Sequence, residues 1–221
     1  MGPVLTNSRT GPSFLPSLKV PNPSIILVPL NQLRPTQGAV GMRAVARKRA
    51  KVEKRVRAGN QVERYLEQRP IPIVLGPGNQ LFMIDHHHLG MALWQAEIET
   101  AVTIVIEDFS VLPAAVFWRR MEAGGWLYPF NEDGQRIPPS KLPARIKGLR
   151  PDSFRDLASS VRDAGGYHKS STAYAEFEWA DFFRARIAHR LVDRDYDAAV
   201  RKARRLSRTR EARDLPGFIA N

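Results

Sequence analysis

Cysteine is absent from this chain of 221 residues. Disulfides, a thiolate nucleophile and thiolate-held zinc or iron–sulfur clusters are thereby excluded. Long apolar runs are missing as well. No stretch approaches the roughly 20 residues of a membrane helix, and no basic segment leads into an apolar one at the N-terminus. Neither a membrane partner nor a secretory signal is expected, and the expected location is cytoplasmic. Acids are few beside bases, 22 Asp and Glu against 34 Lys and Arg, for a formal charge of +12. That excess points to a polyanionic partner, such as nucleic acid, nucleotide phosphate or an anionic surface, or to a solvated basic surface with no specific partner; composition alone does not choose. Histidine is scarce, with 5 in all, and three of them stand together.

What remains is enough to fold. An apolar fraction of 43% over this length supports a real core, as one domain or one domain with an appendage. Residues 1–23, rich in Pro, Gly, Ser and Asn, read as a loosely held arm. A strand is expected over Ile25–Val28, then a turn-like segment, Leu30 to Gln37. The spacing of Val45, Val52 and Val56 predicts a helix from Met42 to Arg57, and a short second helix holds Tyr65 and Leu66. Pro70–Leu75 and Leu81–Asp85 read as a hairpin about Gly76-Pro77-Gly78-Asn79. His87–Gln95 follows as a helix, Val102–Ile106 as a strand and Ala114–Met121 as a helix. After Gly125 the composition turns loop-like, so a boundary is placed there, dividing 24–125 from a helical extension over 126–221. Within it, helices are expected from Pro151, from Thr172 to Leu191, and through the Arg-rich stretch to Arg213. The fold class is therefore α+β: a small mixed sheet with helices and a helical C-terminal extension.

The chemistry concentrates at Asp85-His86-His87-His88, where a strand ends and a helix begins. Imidazole titrates near neutrality, and a helix N-terminus offers backbone amides to an anion. The cluster admits three readings: a metal site, although neighbouring residues point apart and no ion is identified; a structural cap, with Asp85 as N-cap; or a phosphate or acid–base site. Arg34-Pro35-Thr36-Gln37 is a rigid turn whose Arg fork and amide suit phosphate or carboxylate. The helix from Arg43 to Arg57 carries eight basic residues against Glu53 alone, which fits an anion-facing surface or a solvated one.

The order of Leu33-Arg34-Pro35-Thr36-Gln37, basic helix, Pro-rich strand, Gly turn and Ile84-Asp85-His86-His87-His88 resembles the ParB/sulfiredoxin fold. It is most similar to the family of ParB-like nucleases, whose segment after the hairpin reads Asp-x-His-His, as at Asp85, His87 and His88. Ala175-Glu176-Phe177-Glu178-Trp179 through Arg184 resembles that family's C-terminal half. Members of the fold include nucleotide-dependent DNA clamps, sulfinic acid reductases, nucleases and kinases of free serine. The chain departs from the reductases in lacking Cys, and from the clamps in having no Gly-Glu-Arg-Arg. It departs from the serine kinases' Asp-Gly-His-His-Arg at His86 and Leu89. The resemblance implies a phosphate ligand and phosphoester processing, by nuclease or phosphotransferase chemistry, or else non-catalytic DNA binding. On that implication His87 is the acid or base, His88 contacts phosphate and Asp85 caps the helix and holds a tautomer. Arg34 clamps phosphate, Gln37 orients the substrate, and His86 and Arg43 complete the binding set. Magnesium and a nucleotide are the implied cofactors.

Overall fold

The computed structural model describes residues 25–59, 61–172 and 174–220; the arm expected over 1–23 lies outside them. The chain forms β1 (Ile25–Pro29), β2 (Leu33–Pro35), β3 (Ala39–Val40), α1 (Met42–Arg57), α2 (Gln61–Glu67), β4 (Ile71–Gly76), β5 (Gln80–Met83), α3 (His87–Gln95), β6 (Thr100–Asp108) and α4 (Ala114–Ala123). Then come β7 (Arg150–Pro151), α5 (Ser153–Asp163), α6 (Ala175–Arg184), α7 (His189–Arg194) and α8 (Tyr196–Leu206). The mixed α+β class with a helical C-terminal part is as the sequence predicts. Among the described residues no helix is long and apolar enough to cross a membrane.

The main sheet runs β1-β6-β4-β5-β2. Its centre is β4, Ile-Pro-Ile-Val-Leu-Gly, which pairs in parallel with β6 and antiparallel with β5. The hairpin closes at Gly78, whose φ of +68° is one that Gly adopts without strain. Side chains alternate across the sheet. Ile73 and Met83 go to the face covered by α1 and α3, with Leu33, Leu89 and Leu93. Val74 and Phe82 go to the other, with Phe117 and Met121 of α4. A third apolar cluster, about Leu157, Trp179 and Phe183, belongs to the C-terminal helices. The stretch after Gly125 is woven into the first two: Leu127 and Leu142 pack beside α4, and Ile146 and Leu149 beneath α1 and α3.

Several elements differ from expectation. The expected turn over 30–37 contains strand β2, because Leu33–Pro35 finds β5 as a parallel partner. The helix expected from Pro151 starts at Ser153, capped by Asp152, whose carboxylate accepts from the amides of Phe154 and Arg155. The helix expected over 172–191 is two, α6 and α7, with a break after Arg184. The Arg-rich helix stops at Leu206, and a 3-10 turn follows at Arg210–Ala212.

Candidate functional site

Two parallel strands, β2 and β5, end side by side with Pro35 opposite Met83. The chain beyond each is tied to the other. Thr36 donates its hydroxyl to the Met83 carbonyl at 2.9 Å and its amide to His87 Nε2 at 3.2 Å. Past β3, the Gly41 amide donates to His88 Nε2 at 3.3 Å. Because both Nε2 atoms accept, the proton of each neutral ring sits on Nδ1. Burial pushes both imidazoles down to about 3, with the Arg155 charge adding to the effect on each. Both rings are therefore uncharged at neutral pH.

Asp85 is not the N-cap of α3. That position belongs to His86, in a left-handed conformation (φ 62°) with no capping side-chain bond. The left-handed turn sets Asp85 one residue away from the helix, where its carboxylate accepts from the His86 amide at 2.6 Å instead. His87 is only 6% exposed and so sealed, whereas His88 is half-buried and reaches a cleft. Among the described residues, the enclosed Nδ1 of His86 finds no hydrogen-bond partner. Arg34 lies on the far face of the sheet. It donates to Gln80 Oε1 at 2.7 Å and sits over the Phe82 ring, since strand alternation turns it away from the α1 and α3 side. Gln37 is buried and bridges to Tyr128. Arg43 extends its guanidinium over Tyr196, 3.6 Å from the ring centre. The structure thus gathers Thr36, Gly41 and the histidines, and leaves Arg34 and Arg43 outside the cleft lining. Nor are the first α1 amides open to an anion: those of Arg43 and Ala44 donate to Asp156 at 2.8 and 3.1 Å.

The cleft beside His88 has a volume of about 350 Å³ and lies between α1 and α5. One stripe of α1, Arg47, Lys48 and Lys51, faces Arg155, Ser159 and Arg162 of α5, positions that helical periodicity places on common faces. Its carboxylates, Asp163 and Glu176, are both ion-paired with Arg162. Partial burial and the charges of Lys51 and Arg69 lower the Lys48 ammonium from its ordinary value. Arg155, which the sequence reading did not single out, is the floor. It is 5% exposed, stacks 3.3 Å from the Phe177 ring centre, and among the described residues finds no hydrogen-bond partner at Nε or Nη1. Burial lowers it only to about 10, so it stays charged at pH 7. The available signal was a charged pair, Arg155-Asp156, set between Phe154 and Leu157 on an amphipathic helix. Among the described residues no group of three or more His, Asp or Glu is arranged for a metal. With its carboxylates engaged by Arg162, the cleft's donor set fits an anion and does not by itself fit a divalent cation.

These features can be set beside known proteins. Residues 26–185 match the model of a family described as "Putative ParB-like nuclease". The crystal structure of protein Atu1540 from Agrobacterium tumefaciens is 38% identical, with a TM-score of 0.80, covering 90% of this chain and 100% of that one. No curated protein matches the chain.

Proposed function

The chain belongs to the ParB-like nuclease family, and on that premise we propose that its α1–α5 cleft binds a phosphate-bearing ligand. The observation that carries this reading is the convergence of Arg47, Lys48, Lys51, Arg155 and Arg162 on one cleft beside His88. A buried cation such as Arg155 is costly without an anion, and the pair of carboxylates present leaves the wall in positive excess. His88, with Nε2 engaged by Gly41, offers its Nδ1–H to a phosphate oxygen, the role expected of it. His87 acts from behind, holding the Thr36 loop, and Asp85 fixes the turn at His86. Magnesium, where it takes part, enters on the phosphates of a nucleotide rather than on this donor set.

Phosphoester processing is a second reading, favoured by His88. A phosphate dianion beside that ring offsets part of what burial and the neighbouring cations impose and favours the imidazolium; Nε2 then takes a proton and gives up its bond to the Gly41 amide, and the Nδ1 proton can pass to a leaving oxygen. Thermal shift of the full chain with phosphate and nucleotides, with and without magnesium, tests the binding reading, because a ligand of the native state raises the melting temperature. Stabilisation that disappears in Lys48→Ala and Lys51→Ala is the expected result. No shift with any phosphate ligand, or a shift unchanged in both variants, overturns it. Product formation that His88→Gln abolishes, with ligand binding retained, separates processing from binding alone.

A further inference from the structure

We infer that the α1–α5 cleft selects a terminal phosphate, a monoester, over the internal diester of a nucleic acid strand, and that Glu176 holds the place of that phosphate in the free protein. The inference rests on the cleft being the phosphate site. The contacts between the two helices rise together along both chains. Arg43 and Ala44 meet Asp156, and Arg47 meets Ser159 at 3.5 Å. The helices therefore run the same way, and the cleft lies along them. At the His88 end, Asp156 is pinned to the α1 amides. At the other, Arg162 is paired with Asp163 and with Glu176 from the first turn of α6. Each end is thus bordered by carboxylates, which disfavour the further phosphates of a strand running through.

The floor makes the same distinction. The Phe177 ring covers one face of the Arg155 guanidinium. A buried guanidinium with Nε and Nη1 unpartnered among the described residues favours the ligand that brings the most negative charge and the most free oxygens. A monoester has three and carries close to two negative charges at neutral pH. An internal diester has two free oxygens, one charge, and a sugar on either side to keep it from the floor. Glu176 already mimics the arrangement. Its carboxylate is paired with Arg162 and stands 3.9 Å from Arg155 Nη2, bridging two cations of the wall. Arriving phosphate takes over both cations, and Glu176 yields to solvent, to which it is already about one-third exposed.

Calorimetric titration of the full chain with inorganic phosphate, thymidine 5′-monophosphate and thymidylyl-thymidine, which has one internal diester and no terminal phosphate, tests this. The monophosphate is expected to bind at least about tenfold tighter than the dinucleoside. Glu176→Gln, which removes the resident anion, is expected to tighten monophosphate binding several-fold. Arg155→Lys is expected to abolish the preference while leaving charge in place; because a buried position risks the fold, the Glu176→Gln result stands independently of it. Equal affinity for monophosphate and dinucleoside, each weakened by Lys48→Ala, overturns the selectivity and leaves the phosphate site standing. Binding weakened or unchanged in Glu176→Gln overturns the place-holder. Binding of neither ligand, or binding indifferent to Lys48→Ala, overturns the phosphate site and the inference together.

Discussion

At the scale of single residues, the histidine cluster separates into three environments that the sequence makes look alike. His87 is a structural acceptor for the Thr36 amide, His88 an acceptor for Gly41 with its other face on the cleft, and His86 the strained turn before them. Burial keeps His87 and His88 neutral in the folded state down to about pH 3, whereas unfolded imidazole takes its proton near 6.5. Their contribution is thus complete above pH 6.5 and is lost as pH falls from 6.5 toward 3, because the unfolded chain binds the protons first. Urea denaturation between pH 7 and pH 4.5 is expected to show stability falling by about 1.4 kcal/mol per pH unit for each of these rings once below pH 6. In His87→Gln the slope is expected to drop by one ring's share. An unchanged slope would mean that the ring is protonated in the folded protein.

At the scale of elements, the seam between α1 and α5 is the feature that joins sheet to helices. Asp156 supplies the N-terminus of α1 with the carboxylate its own sequence lacks, since α1 has no side-chain cap. Gly41 is obligatory for a related reason: a Cβ there would lie 2.4 Å from Asp156 Oδ1. Gly41→Ala is expected to destabilise by about 1–3 kcal/mol through this overlap, and Asp156→Ala by about 1–2 kcal/mol through the lost cap. The double variant should lose clearly less than the sum, because the second change removes what the first collides with. Strict additivity in denaturant melts would refute the coupling. Much of this architecture was legible: the 3.6-residue pattern of α1, the hairpin of β4 and β5 and the start of α3 are local signals. The pairing of β2 with β5 was not, for a three-residue strand has no periodicity to show. Nor was the Asp156 cap, whose partners lie more than a hundred positions away, or the depth of Arg155. The cluster Asp85–His88 was legible as a candidate, but which ring would be sealed depended on Thr36 and Gly41, which only the fold brings near.

At the scale of the whole molecule, three apolar clusters share walls rather than standing apart. Residues beyond position 140 complete the two that flank the sheet, and Asp156 and the β3–β7 pair fasten the third to them. One cooperative transition is therefore expected. Tryptophan fluorescence reports on the α4 side through Trp118 and Trp126 and on the C-terminal cluster through Trp179; its melting curve should superimpose on that of far-ultraviolet circular dichroism. Two separated transitions would show that sheet and helices unfold independently. The β3–β7 ribbon has a further role. Its amides, Arg150 to Gly38 and Asp152 to Val40, stitch the crossing from which α1 and α5 both depart. Anything that draws those helices together acts as a cross-brace on that stitching, so deuterium should enter the Arg150 and Asp152 amides more slowly once the cleft is filled, although neither amide touches what fills it.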